Sequence, residues 1–140
     1  MKDKKPSLLE RLTEGEAIPM DHPQYGQIGE AVLAARERVT ALNQATDPDQ
    51  IRASLSEVIG RPVDATTNLF PPFFTNLGRN IVLGKRVFIN HACSFLDLGG
   101  ITIEDDVMVG PRVNITSENH PVDITTRKTL VPGPVRICRN

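Results

Sequence analysis

The sequence predicts a mainly β chain: a coiled β-solenoid behind a helical N-terminal segment. Three observations carry this. Residues 77–116 place an apolar residue at every sixth position with one slip of phase: Leu77, Leu83, Ile89 and Phe95, then Ile103, Val109 and Ile115. A helix repeats near 3.6 residues and a strand at 2, so a long run of sixes is neither, and a coil of three short strands and three corners fits it. The residue after most of these positions is small, acidic or amide (Gly78, Gly84, Asn90, Glu104, Gly110), as a corner requires, and the fourth after them is again small or apolar (Ile81, Val87, Cys93, Gly99, Val107, Val113). Before residue 63 the apolar rhythm is helical instead.

The elements follow in chain order. Residues 6–14 read as a short helix that starts at Pro6 and stops at Gly15. AIPMDHPQYG is a loop, with two prolines and a glycine. From Ile28 to Ala45, the residues Ile28, Val32, Ala35, Val39 and Leu42 form one apolar stripe of a second helix. In a third, Asp47 is the N-cap, Pro48 suits the first turn, and Gln50 completes a capping-box pattern. Ile51, Leu55, Val58 and Ile59 are its apolar face, and Gly60 and Pro62 end it. Residues 63–76 read as an extended lead-in whose Phe70, Phe73 and Phe74 cover the first coil. The expected division is a helical cap over 1–62 and a solenoid over 63–140.

The six-residue rhythm lapses between Ile115 and Ile137 and then resumes. Such a gap in a solenoid is a loop thrown out from a corner, here 117–134, and such loops often carry function. This one is polar, closed by prolines, and contains His120. With coils of three hexads, about 18 residues each, roughly three coils are expected. The chain stops in mid-repeat at Asn140, so C-terminal coils and a C-terminal cap are expected to be missing or supplied by another chain.

Composition narrows the function. The chain has 140 residues and a net charge of −1, no Trp and one Tyr. That gives no electrostatic or stacking case for nucleic acid, nor for an anionic membrane. No apolar run approaches the roughly 20 residues of a membrane span, and MKDKKPSLLERL lacks the apolar stretch of a signal peptide. Cys93 and Cys138 match no metal or disulfide pattern and read as reduced thiols in a cytoplasmic protein. Three histidines without regular spacing predict no metal site.

Taken together, these motifs resemble the hexapeptide-repeat acyltransferases, in particular the maltose, galactoside and nodulation-factor O-acetyltransferase group. PPFFTNLGRNIVLGKRVFIN resembles that group's approach to its first coil, GGITIEDDVMVGPRVNIT its second, and ENHPVD the loop bearing its active-site histidine. The resemblance implies a left-handed parallel β-helix and a homotrimer with active sites between subunits. It also implies direct transfer of acetyl from acetyl-CoA to a hydroxyl of a sugar or similar acceptor. His120 falls on the family's general base, and an imidazole with an unperturbed pKa of about 6.5 suits proton removal from an alcohol at pH 7. Asn90 matches a corner asparagine that holds the acceptor, and Asp21 an acidic residue of the cap loop. Asn76 stands where the family has a small polar or acidic residue, and Asp97 is adjacent to an acceptor-site acid. Leu98 occupies that acid's own position and Cys138 a usual glycine, two departures from the pattern. No residue of this chain matches a coenzyme ligand.

A solvated loop histidine is the bland reading of His120, a turn asparagine that of Asn90, and a turn-terminating carboxylate that of Asp21. The alternative to an enzyme is a truncated, non-catalytic remnant or assembly module. A γ-type carbonic anhydrase would need three zinc histidines, which His91 and His120 do not provide.

Overall fold

A computed structural model of the chain describes residues 5–139. Helix α1 (Leu8–Thr13) opens on a capping box, in which Ser7 Oγ accepts from Glu10 N–H while the Glu10 carboxylate accepts from Ser7 N–H. After strand β1 (Ile18–Pro19) come α2 (Gly26–Gln44) and α3 (Pro48–Ile59). Asp47 caps α3 by accepting from the N–H groups of Asp49 and Gln50, and Gly60 closes it at φ 71°.

Nine strands then form three parallel three-stranded sheets. β2 (Asn68–Leu69), β5 (Phe88–Ile89) and β8 (Met108–Val109) make the first face. β3 (Phe73–Thr75), β6 (Cys93–Leu96) and β9 (Asn114–Thr116) make the second. β4 (Ile81–Leu83), β7 (Ile101–Ile103) and β12 (Val135–Ile137) make the third. Every coil therefore visits three faces in the same order, which is a parallel β-helix.

The register corrects two expectations. Phe88 pairs with Met108, Phe73 with Cys93 and Ile81 with Ile101, each 20 residues on, so a coil has 20 residues rather than 18. Thr75, Phe95 and Ile115 stack, as do Leu83, Ile103 and Ile137. The step of eight from Phe95 to Ile103 thus recurs from Thr75 to Leu83. A polar Thr75 at the inward position and an apolar Leu77 beside it hid the earlier step. Leu77 is not in the coil interior; it clusters with Leu8, Leu12, Ile18, Ile28, Leu98 and Leu130. The first coil also begins about ten residues before Leu77, because β2 and β3 are full strands of it. Phe73 packs inside, edge-on to Phe95 at 5.1 Å, whereas Phe70 and Phe74 stay exposed.

The main core runs from Leu42, Ile51, Leu55, Val58 and Ile59 into Leu69, Phe73, Ile81, Ile89, Phe95 and Ile103. Helices α2 and α3 therefore bury their apolar faces on the first coil. The fit is tight at Gly78, whose φ is 75° and where a Cβ would lie 2.6 Å from Val58 O and Cγ1. Gly78→Ala should destabilise the chain by about 2–3 kcal/mol, from left-handed strain plus overlap with α3 backbone. Urea unfolding checks this, and an unmoved midpoint would contradict the close packing of α3 on this corner.

Candidate active site

The residues between β9 and β12 fold as a hairpin rather than a free loop. β10 (Glu118–Asn119) pairs antiparallel with β11 (Thr129–Pro132), and β11 pairs on its other edge with β1 from the N-terminal segment. Ile18 and Leu130, opposite each other in this small sheet, are buried, which anchors the hairpin to the helices. Pro19 lies opposite Thr129, and Met20 N–H donates to Lys128 O at 2.9 Å.

That sheet builds the site. His120 follows β10, with its ring exposed and its Nδ1 2.8 Å from the carbonyl oxygen of Thr129 on β11. A carbonyl can only accept, so Nδ1 carries the proton and neutral His120 presents Nε2 as a base. The Asn119 side-chain oxygen accepts from His120 N–H at 2.8 Å and fixes the backbone turn. Asp21 follows in the cap loop, two residues past the Pro19–Thr129 pair. Together with Pro19, Met20, Thr125, Thr126, Lys128 and Thr129 it lines a cleft of about 660 Å³.

Asn76 joins from the coil corner after β3. Its Nδ2 donates to Glu118 Oε1, and Glu118 Oε2 accepts from Leu98 N–H at 2.8 Å. Glu118 precedes His120 by two residues and is partly buried, whereas His120 is exposed. Burial raises the Glu118 pKa above its ordinary value, helped by the neighbouring Asp97 charge and opposed by the Leu98, Asn76 and Ser117 hydrogen bonds. Burial also raises the Tyr25 pKa, with a smaller contribution from the Glu118 charge, and Tyr25 packs against the apolar cluster that holds Leu98. The sequence reading missed Glu118 and Tyr25; the available signal was the loss of an acid at Leu98 with a glutamate two residues before His120.

Asp97 and Asn90 stand elsewhere. Asp97 is 0% exposed. Its Oδ1 accepts from Thr75 Oγ1 at 2.9 Å and Leu77 N–H at 2.8 Å, and its Oδ2 from Asn80 N–H at 3.0 Å. Both oxygens are spent on the corner of the preceding coil, and none of its surface reaches the cleft. Leu98, next to it, is buried in the apolar cluster under α1 and α2. Asn90 sits on a different corner, between β5 and β6, where its side-chain oxygen accepts from His91 N–H at 2.8 Å. One whole face of the coil separates that corner from the one bearing His120, so the structure does not bring Asn90 and His120 together within a chain. His91 copies the His120 construction, with Nδ1 2.7 Å from Pro71 O, but it borders a separate apolar groove with Phe70, Arg52 and Leu55. His22 is held by its own loop and by α1, its Nδ1 accepting from Gln24 N–H at 3.1 Å and its Nε2 lying 3.5 Å from Arg11 Nη1. Among the described residues no group of three or more His, Cys, Asp or Glu could hold a metal, and no helix is long and apolar enough to cross a membrane.

Known proteins resemble this chain in sequence and in fold. No family model matches the chain. Nodulation protein L of Rhizobium leguminosarum bv. viciae is 41% identical over 72 residues, covering 50% of this chain and 38% of that protein. Galactoside O-acetyltransferase of Escherichia coli is 30% identical over 91 residues, covering 64% and 45%. The chain thus spans less than half the length of these curated relatives. Among solved structures, the hexapeptide-repeat containing acetyltransferase VCA0836 of Vibrio cholerae superposes with a TM-score of 0.77 at 25% identity, over 91% of this chain and 69% of that one. A structure of that protein complexed with acetyl coenzyme A matches with a TM-score of 0.70 at 24% identity, over 92% and 69%. Several relatives by sequence are named acetyltransferases, and neighbours by fold include a hexapeptide-repeat containing acetyltransferase.

Proposed function

We propose that this chain is the acceptor-activating part of an acetyl-CoA-dependent O-acetyltransferase acting on a hydroxyl of a sugar or similar small molecule. The observation that carries the reading is the His120 ring, held by the Thr129 carbonyl so that Nε2 is free to accept a proton. Nε2 takes the acceptor's hydroxyl proton as its oxygen attacks the thioester carbon. The carbon–sulfur bond then breaks, and the leaving thiolate takes the proton from the imidazolium. Asp21, on the cleft lined by Thr129, whose carbonyl holds the His120 ring, is assigned to the acceptor, and so is Asn76. Asp97 acts at one remove, by shaping the corner that bears Asn76.

The coil is read as left-handed and the assembly as a homotrimer. Support for a shared site is the separation of Asn90 from His120 within one chain: its Nδ2 has no partner among the described residues and is free to reach a neighbouring subunit's cleft. The helical cap over 1–62 and the solenoid over 63–140 act as one unit through their common core. The free thiols of Cys93 and Cys138 fit a cytoplasmic setting. The coenzyme is left without assigned ligands in this chain.

The test is acetyl-CoA-dependent thiol release by the purified chain against a panel of sugars and other small alcohols. Acceptor-dependent release supports the reading. A folded oligomer that releases no thiol with any acceptor would sink it and favour the non-catalytic module.

A further inference from the structure

We infer that Pro121 is a positioning residue for His120: having no backbone N–H, it leaves the Thr129 carbonyl to the imidazole, and so fixes the tautomer in which Nε2 acts as a base. This deepens the proposed transferase reading and rests on it for the effect on catalysis, though not for the tautomer.

The argument is one of strand register. β11 pairs with β10 on one edge and with β1 on the other, and in such a strand successive carbonyls point to alternate edges. Lys128 O faces β1, where it accepts from Met20 N–H at 2.9 Å. Thr129 O therefore faces the β10 side. The pairing with β10 has the matching phase. Glu118 lies opposite Pro132 and Asn119 opposite Val131, and Gly133 N–H donates to Ser117 O at 2.7 Å. Hydrogen-bonded rungs recur every second residue, so the rung at 133 and 117 is followed by 131 with 119, and then by 129 with 121. The residue due to donate to Thr129 O is thus Pro121, and proline has no N–H to give. The ladder stops at Asn119, and the ring of His120 takes the unclaimed carbonyl, with Nδ1 2.8 Å from Thr129 O. Pro19, opposite Thr129 on β1, has no part in this. That pair falls between hydrogen-bonded rungs, so its backbone groups point away from Thr129.

A donor at position 121 would change the outcome. A backbone N–H set in a ladder is already aimed at the carbonyl, whereas the exposed His120 ring must be ordered to reach it. Displaced into water, a neutral imidazole favours the tautomer protonated at Nε2, because nothing then holds the proton on Nδ1. The nitrogen needed as the base would be the one that carries the proton. His91 supplies the comparison within the same chain. Its Nδ1 lies 2.7 Å from Pro71 O, while the N–H of the next residue, Ala92, donates to Pro72 O. Ring and backbone there have separate carbonyls, and no proline follows that histidine.

The test uses the full chain and two changes at one position. Pro121→Ala restores the N–H. Lactic acid at 121 gives the same methyl side chain on an ester linkage, which has no N–H and does not lock φ. In the first arm the ring nitrogens of His120 are followed by ¹⁵N NMR at about pH 8, where an ordinary imidazole is neutral, and are assigned by their loss in His120→Ala. The wild type should show the proton on Nδ1. In Pro121→Ala it should move largely to Nε2, and the new backbone amide should be protected from exchange, while the His91 signals stay put. The lactic acid variant should return the His120 signals to their wild-type positions. A ring that keeps Nδ1–H in Pro121→Ala overturns the inference, since the carbonyl would then serve both donors or keep the ring regardless. A lactic acid variant that behaves like Pro121→Ala also overturns it, because the ring constraint of proline, not its missing donor, would be what matters.

In the second arm, Pro121→Ala should lower kcat about three- to thirtyfold, with the acceptor and acetyl-CoA KM values within about twofold, and the lactic acid variant should recover most of the loss. An unchanged kcat, or a loss that appears in KM instead, overturns the catalytic consequence. A wild-type chain that releases no thiol refutes the transferase reading, while the NMR arm still decides whether Pro121 sets the tautomer.

Discussion

Replacing His120 with alanine is expected to cut acetyl transfer by about 10²–10⁴-fold, the usual worth of a positioned general base. An alcohol is a poor nucleophile until its proton leaves. The same change should scarcely affect folding. The ring is exposed, and its one fixed bond is to the Thr129 carbonyl, which water can satisfy. Thr129 itself stays paired through β11 with β1. The measurement is kcat/KM for the acceptor beside an unfolding curve. Activity within about threefold of wild type would remove His120 from the mechanism.

Asp97→Ala is expected to have the largest effect on stability, about 3–5 kcal/mol. It strips partners from the backbone N–H groups of Leu77 and Asn80 and from the Thr75 hydroxyl. Leu77 is 5% exposed, so water cannot readily replace the lost acceptor. Domains of this size hold about 5–15 kcal/mol in all, so the variant should be marginal. Asp97→Asn keeps the volume but points an NH₂ at N–H groups that need an acceptor, and should cost about 2–3 kcal/mol. Thr75→Val removes only the side-chain donor and should cost about 1 kcal/mol. Denaturant midpoints should fall in that order; a loss under about 1 kcal/mol for Asp97→Ala would show that the carboxylate does not hold the corner.

Much of the architecture was legible because local chemistry dictates it. Asp47 and Gly60 bracket α3 through cap geometry that involves only nearby residues. The hexads at Ile89, Phe95, Ile103 and Val109 repeat because each stacks on its own kind one coil away. The coil length was misread where that rule is broken. Thr75 points inward only because Asp97 accepts its hydroxyl, a partner 22 residues distant, and Leu77 is apolar because it meets α1 and β11 rather than the coil.

The candidate site divides the same way. Sequence by itself determined that His120 lies in the one break of the repeat, that the coil corners carry asparagines, and that the N-terminal third is helical, since these follow from periodicity and from residues close in the chain. Only the tertiary structure decided that the break is a hairpin bonded to β1, which brings Asp21 onto the cleft lined by Thr129, the residue that holds the His120 ring. It also buried Asp97 as a backbone anchor and set Glu118 between Asn76 and Leu98. Each of those outcomes turns on contacts between residues 17 to more than 100 positions apart, and hydrogen-bond partners at that range are chosen by how the coils stack, not by any local preference of the chain.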